Sequence, residues 1–388
     1  MSKIRFIALY LPQFHPIKEN DAVWGKGFTE WTNVAKGKPL FKGHYQPHIP
    51  ADLGFYDLRL EETRIAQAEL AKEYGIEGFC YWHYWFGNGD KILESPIEAV
   101  LRSGKPDFPF CLAWANHSWT TATWTKINNT KKVTMIKEQK YLGKADYEMF
   151  FYDTLRFFKD PRYIQVDGKP LFMIHNPSAI PDMQVFIQLW QELAIANGLK
   201  GVYFVGSSMG IAYRNSKNDH QLPDISQSEK LYNDLRKNGF DAINSSNFNR
   251  AILKLEGRYL HLIRMYFNTR TTQKLFKKIS QKKFNDNLLS EYDNRDDVFP
   301  SVYVNWDRSP RVGKADVVLT DSTPQEFENI LNKTVSIVKN KTEDHRIVFL
   351  RSWNEWGEGN HIEPDLKYGR GYLQAIKNVL QKLKESYE

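Results

Sequence analysis

The chain of 388 residues has few cysteines and no long apolar segment. Its two cysteines, Cys80 and Cys111, lie in separate apolar stretches, which is typical of reduced and buried thiols. Because no Cys-x-x-Cys pair occurs, we predict no zinc-type site, no other metal and no cofactor. No run of about 18 apolar residues is present, and the first residues lack the apolar region of a signal peptide. These absences predict a cytoplasmic protein without a membrane span.

Nucleotide-binding loops are missing as well. No G-x-G-x-x-G or P-loop sequence follows a predicted strand, and Asp296-Asp297 is a poor substitute for an Asp-x-Asp metal motif. The missing loops disfavour an open doubly wound sheet and a nucleotide-sugar donor site. The chain has no internal repeat and no linker that would divide it. We therefore expect a single domain over residues 1–388, with an insertion at about 245–298.

Short apolar runs alternate with helical patterns along the whole chain. The runs predict strands over residues 4–10, 79–86, 109–115, 170–174, 201–206, 240–243, 302–306 and 347–350. Helical spacing predicts helices over residues 60–74, 96–102, 147–158, 182–196, 228–237, 324–339 and 371–384. Seven of the eight strands are followed by a predicted helix and the sixth by the insertion, and this alternation predicts an α/β fold, a single (β/α)₈ TIM barrel with long loops after its strands.

The sequence RIVFLRSWNEWGEG at residues 346–359 changes abruptly from apolar to acidic and aromatic. Glu355, Glu358 and Glu363 follow the predicted strand and lie among Trp353 and Trp356. Indole faces stack on sugar rings, and paired carboxyl groups perform acid/base chemistry at a glycosidic centre. We therefore predict a carbohydrate site with Glu355 and Glu358 as its catalytic pair. For any one of these residues, packing or simple solvent exposure is the alternative.

Polar and aromatic side chains follow nearly every other predicted strand. The carboxyl ends of the strands of a (β/α)₈ barrel share one mouth, so we expect these side chains to form one site. The long segment over residues 12–58 predicts a functional loop above this mouth. The predicted substrate-binding residues are Tyr10, Gln13, His15, Trp31, His83, Trp85, Trp114, Asn116, His117, His175, Asn305, Trp306, Trp353, Asn354, Trp356 and Glu363.

Six segments of the sequence resemble the WbsX-like proteins. They are YLPQFHP (10–16), GKGFTEWTNV (25–34), HYQP (44–47), FYDL (55–58), GFCYWHYWF (78–86) and WNEWGEG (353–359). Proteins of that family are assigned to O-antigen and other surface-polysaccharide gene clusters and are related to glycoside hydrolase family 99. The resemblance runs from residue 4 to about 372 and is interrupted between 207 and 295.

The resemblance implies a bacterial enzyme that cleaves or transfers at a glycosidic bond with retention, like the family 99 endo-α-mannosidases. The segment NEWGEG matches the Asn-Glu-Trp-x-Glu-Gly motif of that family. By this match, Glu355 takes the place of the base that acts on the sugar 2-hydroxyl, and Glu358 that of the general acid/base. The implied substrate is an oligosaccharide or a lipid-linked glycan, and no nucleic acid is expected as a partner.

The third predicted strand departs from the family pattern. The segment WANHSW at residues 114–119 carries His117 where the WbsX-like proteins commonly have Glu. Loss of that carboxylate would change substrate choice or reduce activity. Two alternatives therefore stay open: a glycosyltransferase that uses an activated sugar donor in lipopolysaccharide biosynthesis, and a non-catalytic glycan-binding relative.

The net charge of +7 is concentrated in the insertion. Only Glu256 opposes the many basic residues between 250 and 283, which include Lys274. Apolar residues recur between them at helical spacing, at Ile252, Leu255, Tyr259, Leu262, Ile263 and Tyr266. One interpretation is an ordinary amphipathic helix packed on the barrel. The sharper hypothesis is a peripheral contact with the inner membrane, which would suit a lipid-linked substrate.

Overall fold

The computed structural model describes residues 3–121, 134–208, 227–270, 277–313 and 317–386. Eight parallel strands form a closed barrel, in which each strand pairs with the next. Ala8 pairs with Phe79 of the second strand and with Leu350 of the last, which closes the ring. The strands are β1 (Arg5–Tyr10), β2 (Gly78–Trp85), β3 (Phe110–Trp114), β4 (Lys169–Ile174), β5 (Tyr203–Ser207), β6 (Ala242–Ser245), β7 (Val298–Tyr303) and β8 (Ile347–Arg351).

Helices surround this barrel and also form short elements in its loops. The helices are α1 (Lys18–Trp24), α2 (Glu30–Ala35), α3 (Glu61–Glu73), α4 (Ser95–Ser103), α5 (Lys144–Phe158), α6 (Met183–Ala196), α7 (Gln227–Lys237), α8 (Phe248–Glu256), α9 (Arg258–Arg270), α10 (Gln281–Asp286), α11 (Ser309–Val312), α12 (Pro324–Val338) and α13 (Gly371–Glu385). The predicted (β/α)₈ architecture is confirmed. Among the described residues, no helix is both long enough and apolar enough to cross a membrane.

Two strands differ from their predicted positions. β7 begins at Val298 and ends at Tyr303, so the predicted strand over 302–306 was placed too late. Pro300 lies inside β7, although proline ordinarily interrupts a strand, and its presence hid the start of β7. β6 extends past the predicted end at residue 243 because Asn244 is buried there, donating from Nδ2 to Ser301 Oγ at 2.9 Å. A buried polar residue of this kind interrupts the apolar run from which a strand is predicted.

The amphipathic pattern of the basic insertion falls on two helices, α8 and α9, rather than on one continuous helix. Gly257 has φ +79°, a left-handed conformation that glycine adopts readily, and it separates α8 from α9. Ile252 of α8 is buried against the barrel, whereas the side chain of Tyr259 in α9 is 79% exposed. Arg264 is turned inward, and its Nε donates to Glu256 Oε1 at 2.7 Å. The predicted basic residue Lys274 lies outside the described residues.

Aromatic side chains fill the layer between the barrel and the helices. Phe150 of α5 stacks on Trp85 at 4.8 Å between ring centroids and meets the edge of Trp114 at 5.0 Å. Trp190 of α6 packs against Phe172 of β4 at 4.9 Å. Burial of such large rings contributes much of the hydrophobic stabilisation of the domain. The barrel is therefore a rigid support for the loops that follow the strands.

Candidate active site

Arg311 joins three carboxylates at the mouth of the barrel. The residue belongs to α11, the short helix after β7, and its side chain is buried. Its Nε donates to Glu30 Oε1 at 2.8 Å, and its Nη1 lies 2.8 Å from Glu358 Oε1. Its Nη2 donates to Glu355 Oε1. A single guanidinium thus brings together the two predicted catalytic glutamates and a third glutamate from the loop after β1.

The turn between the two glutamates is shaped to admit this ion cluster. Glu355 directly precedes a one-turn 3₁₀ helix, Trp356–Glu358, and Glu358 is the last residue of that helix. A Cβ added at Gly357 would lie 2.0 Å from Glu30 Oε1 and 2.8 Å from Arg311 Nε. Only a residue without a side chain leaves room for both groups there. The glycine in the WNEWGEG motif therefore allows Glu30 and Arg311 to reach the acids.

The surroundings of Glu355 favour its protonated form. Burial raises the pKa of Glu355 to about 8, with the negative charges of Glu358 and Glu30 acting in the same direction and Arg311 in the opposite one. Arg308 adds a second cation to the cluster, with its Nε 3.2 Å from Glu358 Oε1.

Asn354 and Glu363 fix the same turn through buried hydrogen bonds. The side chain of Asn354 accepts from the backbone N of Leu11 at 2.7 Å and donates to its carbonyl oxygen at 3.0 Å. Glu363 is fully buried and accepts from Tyr56 at 2.7 Å and from Gln67 and Trp356 Nε1 at 2.6 Å each. Burial raises the pKa of Glu363 to about 7. Both residues anchor the motif to the barrel.

Several predicted substrate-binding residues pack in the core instead of facing the mouth. Trp85 and Trp114 contact α5 on the outer side of the barrel, since alternate residues of a strand point to opposite faces. These two residues, together with Trp353 and Trp356, have side chains with at most 2% exposure. Their predicted contact with a ligand is therefore corrected: they pack in the interior. The same correction applies to Tyr10, which donates to Gln67 Oε1 at 2.6 Å, and to His83, which stacks on Phe150.

A second group of predicted residues is positioned in the loops by hydrogen bonds, burial or ring packing. Asn116 Nδ2 donates to the carbonyl oxygen of Asn176 at 2.7 Å, and Asn116 Oδ1 accepts from the Asn176 backbone N at 2.8 Å. Trp31 Nε1 donates to the carbonyl oxygen of Tyr56 at 2.8 Å. His15 is buried, which lowers its pKa to about 4. Trp306 packs against Phe248 of α8 at 4.6 Å.

The remaining predicted residues lie around the mouth itself. His117 is exposed, and its ring is 5.5 Å from that of His175. His175 also meets the edge of Trp82 at 5.2 Å. Burial lowers the pKa of His175, and the positive charge of Arg351 lowers it further. Gln13 Nε2 donates to Tyr84 Oη at 3.4 Å. Neutral imidazoles, an indole and an amide thus surround the entrance.

A cavity of about 520 Å³ lies beside the acidic cluster. Its walls come from residues within the segments 41–48, 305–307, 319–323 and 359–372, together with Lys278. Asn305 is the predicted substrate-binding residue among them, and Glu355 and Glu358 do not line the cavity. Asp307 connects the cavity to the catalytic turn, since its backbone N donates to the Glu358 carbonyl oxygen at 2.7 Å. The volume is within the range that holds a small ligand.

Glu30, Arg311 and Gly357 were not predicted as site residues. Glu30 was visible in the sequence only as part of the long loop after β1, within the segment GKGFTEWTNV. Arg311 lies in a polar stretch after β7 that carried no motif. The pair is separated by 281 positions, so no local spacing rule could connect them.

Comparisons with known proteins identify relatives of this chain. The family model described as "Glycosyltransferase WbsX" matches residues 6–376. The protein WxcX, described as uncharacterized, from two strains of Xanthomonas campestris pv. campestris is 33% identical over 377 residues. That match covers 96% of this chain and 49% of the relative, so the chain spans about half the length of the curated relatives it matches.

Two solved structures share the fold over nearly the whole chain. The GH99 endo-alpha-mannosidase from Bacteroides thetaiotaomicron aligns with a TM-score of 0.53 and 13% identity, covering 99% of this chain and 98% of that one. A protein described as glycoside hydrolase-like aligns with a TM-score of 0.56 and 15% identity, covering 98% and 94%. At such identities the likeness extends to the barrel architecture alone.

Proposed function

The chain belongs to the WbsX glycosyltransferase family, and from that premise we propose that it is a carbohydrate-active enzyme of bacterial surface-polysaccharide metabolism. The proposed reaction cleaves or transfers at a glycosidic bond with retention of configuration. The observation that carries the proposal is the contact of one guanidinium, that of Arg311, with both Glu355 and Glu358. Two acids at the carboxyl end of a barrel strand lie where catalysis takes place in this fold.

The shared guanidinium supports retention over inversion. Retaining glycosidases hold their two carboxyl groups about 5–5.5 Å apart, whereas inverting enzymes need a wider gap for a water molecule. Contact with neighbouring nitrogens of one guanidinium holds the two carboxylates near each other, which supports the narrower spacing. Positioning by Arg311 also fixes their orientation, which is a large part of what a catalytic pair requires.

In the proposed mechanism, Glu355 acts as a carboxylate and takes the proton of the sugar 2-hydroxyl. The O2 atom then bonds to C1 while the bond from C1 to the leaving oxygen breaks, and Glu358 gives its proton to that oxygen. In the second half, Glu358 takes a proton from water or from an acceptor hydroxyl, whose oxygen bonds to C1. The C1–O2 bond breaks, and Glu355 returns the proton to O2. Two inversions at C1 give retention.

The test of this assignment is the substitution Glu358→Gln. Loss of the general acid should lower turnover by a factor of about 10²–10⁴, while glycan binding persists because the amide keeps the shape of the side chain. Glu192→Gln, on the exposed face of α6, is the matched control and should leave turnover unchanged. Turnover and glycan affinity would be measured on both variants with a panel of oligosaccharides. Unchanged turnover in Glu358→Gln would refute the role of Glu358.

Glycosyl transfer is the second candidate, and the description of the matching family favours it. In the mechanism above, transfer differs from hydrolysis only in whether an acceptor hydroxyl replaces water. Incubation with nucleotide sugars plus acceptor, compared with glycans or lipid-linked glycans alone, separates the two kinds of donor. If product forms only with nucleotide sugars, the protein is a nucleotide-sugar transferase and the retaining glycosidase mechanism is wrong.

The surface of α9 supports a lipid-linked substrate. Tyr259, Leu260 and Ile263 are 79%, 62% and 50% exposed, although large apolar side chains are ordinarily covered. Lys254 of the adjacent α8 is exposed as well. An amphipathic helix with exposed apolar residues and nearby basic residues binds the surface of an anionic membrane. We propose that α9 brings the barrel to the membrane that carries its glycan.

A further inference from the structure

Two histidines and an aspartate meet in the wall of the cavity, away from the catalytic pair. The residues are His48, His361 and Asp365, and each offers one ligand atom, all within 4.8 Å of one another. All three side chains are buried, with 5%, 2% and 2% exposure. A buried cluster of two imidazoles and one carboxylate at a cavity wall has the composition of a metal site that leaves a coordination position open.

Contacts around the cluster fix the direction of its ligand atoms. His361 Nδ1 lies 3.0 Å from the carbonyl oxygen of Glu363, which accepts, so this nitrogen carries the hydrogen and Nε2 keeps its lone pair. Asp365 Oδ1 accepts from the backbone N of Lys367 at 2.9 Å and of Tyr368 at 2.6 Å. Its Oδ2 lies 3.9 Å from His361 Nε2. A histidine held by a backbone carbonyl is the usual support of a metal ligand.

The two imidazoles already face each other at the point where a cation would lie. His48 Nδ1 and His361 Nε2 are 2.8 Å apart and share a hydrogen bond. Neutral histidine and ionised carboxylate are the forms that coordinate cations. A cation would replace that bond with two metal–nitrogen bonds of about 2.0–2.1 Å.

We propose that His48, His361 and Asp365 bind a divalent transition cation of the zinc class, with an open position toward the cavity. Oxygen atoms of a ligand in the cavity could complete the coordination. The site adjoins the catalytic turn, because the ring of His361 stacks on Trp356 at 3.6 Å between centroids. The proposal concerns the binding of a cation and does not depend on the reaction at Glu355 and Glu358.

The experiment uses the full chain, stripped with a chelator and titrated with ZnCl₂ by calorimetry. We expect one Zn²⁺ per chain, an increase of Tm with Zn²⁺, and a Co²⁺ absorption spectrum of low coordination number. His48→Gln and Asp365→Asn should each weaken Zn²⁺ binding by at least about 10-fold. His261→Gln, a histidine of α9 outside the cluster, should bind as the parent does.

The outcomes separate a metal site from a hydrogen-bonded pair without a metal. Equal Zn²⁺ affinity in the parent and in both folded cluster variants would overturn the proposal, as would a parent chain that shows neither a Co²⁺ band nor a rise in Tm. Circular dichroism and thermal melts check that the variants fold. If both cluster variants fail to fold, the Co²⁺ spectrum and Zn²⁺ stoichiometry of the parent decide the question, since an imidazole pair alone produces neither.

Discussion

Arg311 determines how the two proposed catalytic residues behave. It is surrounded by Glu30, Glu355 and Glu358, and the burial of its guanidinium makes each of these contacts stronger than it would be in water. Burial would lower the pKa of Arg311, but the three carboxylates raise it well above its ordinary value. The arginine therefore stays charged. The raised pKa of Glu355 has a direct consequence for catalysis.

We predict that kcat/KM rises with pH toward about 8. Glu355 must lose its proton before it can act as a base, and burial raises its pKa to about 8. The pH dependence of kcat/KM reports the groups of the free enzyme. Glu192→Gln should keep the same profile. A profile that falls as pH rises through 8 would instead make Glu355 the acid and would contradict the assigned roles.

Gly357→Ala should reduce both turnover and stability. The new Cβ would overlap Glu30 Oε1, and displacing this buried carboxylate from Arg311 should cost about 1–3 kcal/mol in the free energy of unfolding. Denaturant unfolding measures the change. The control is a double-mutant cycle in which Gly357→Ala is made in a Glu30→Ala background, where the overlapping atom is gone. If the cost of Gly357→Ala is the same in both backgrounds, the overlap is not its cause.

At the scale of elements, the strands were largely predictable and the insertion was not. Apolar runs such as residues 347–350 identify buried parallel strands directly, because both faces of β8 are covered. The ends of β6 and β7 were misplaced since Asn244 and Pro300 break the apolar pattern without breaking the strand. In the insertion, periodicity continued through Gly257, and only the backbone conformation shows that the helix divides there.

The exposed face of α9 allows a direct test of the membrane proposal. The full chain should co-sediment with vesicles that contain anionic lipid, more strongly at low than at high salt, because the surrounding basic residues contribute electrostatic attraction. Replacing Tyr259, Leu260 and Ile263 by Ser should abolish sedimentation. Ile195→Ser is the matched control, since Ile195 on α6 is 64% exposed but lies in another part of the molecule. No binding to anionic vesicles at low salt would end the membrane proposal.

At the scale of the whole molecule, stability should fall as pH rises from about 7.2 to 8. Burial raises the pKa of Glu355 to about 8 and of Glu363 to about 7, above the ordinary 4.5. The folded chain then holds protons that the unfolded chain has lost, so the free energy of unfolding decreases with pH in this window. Buried histidines such as His48 have a lowered pKa and act in the opposite direction around pH 6.5, where unfolded imidazoles still bind protons, so the window lies above that pH.

Urea denaturation at pH 7.2, 7.6 and 8 measures this slope. Glu355→Gln should flatten it, because an amide does not titrate, whereas Glu192→Gln should preserve it. A free energy of unfolding that increases across the window in the parent chain would show that neither glutamate holds its proton in the folded state.

The candidate site was predictable in its location and only partly in its members. The convergence of the acids follows from the placement of Glu355 and Glu358 after the last strand of a closed barrel. Trp85 and Trp114 point to the helices, and a strand end in sequence does not reveal which face a side chain takes. Arg311 is recognised only through contacts with residues distant in sequence.

Closure of the ring between β1 and β8 also governs how the protein is made. Of the barrel strands, β1 is translated first, and its partner β8, which the turn with Glu355 and Glu358 follows, is translated last. A nascent chain that stops before Ile347 leaves β1 and β7 as open sheet edges, which favour aggregation. Prematurely terminated products would therefore be insoluble, and the proposed acid chemistry would require the final strand to dock.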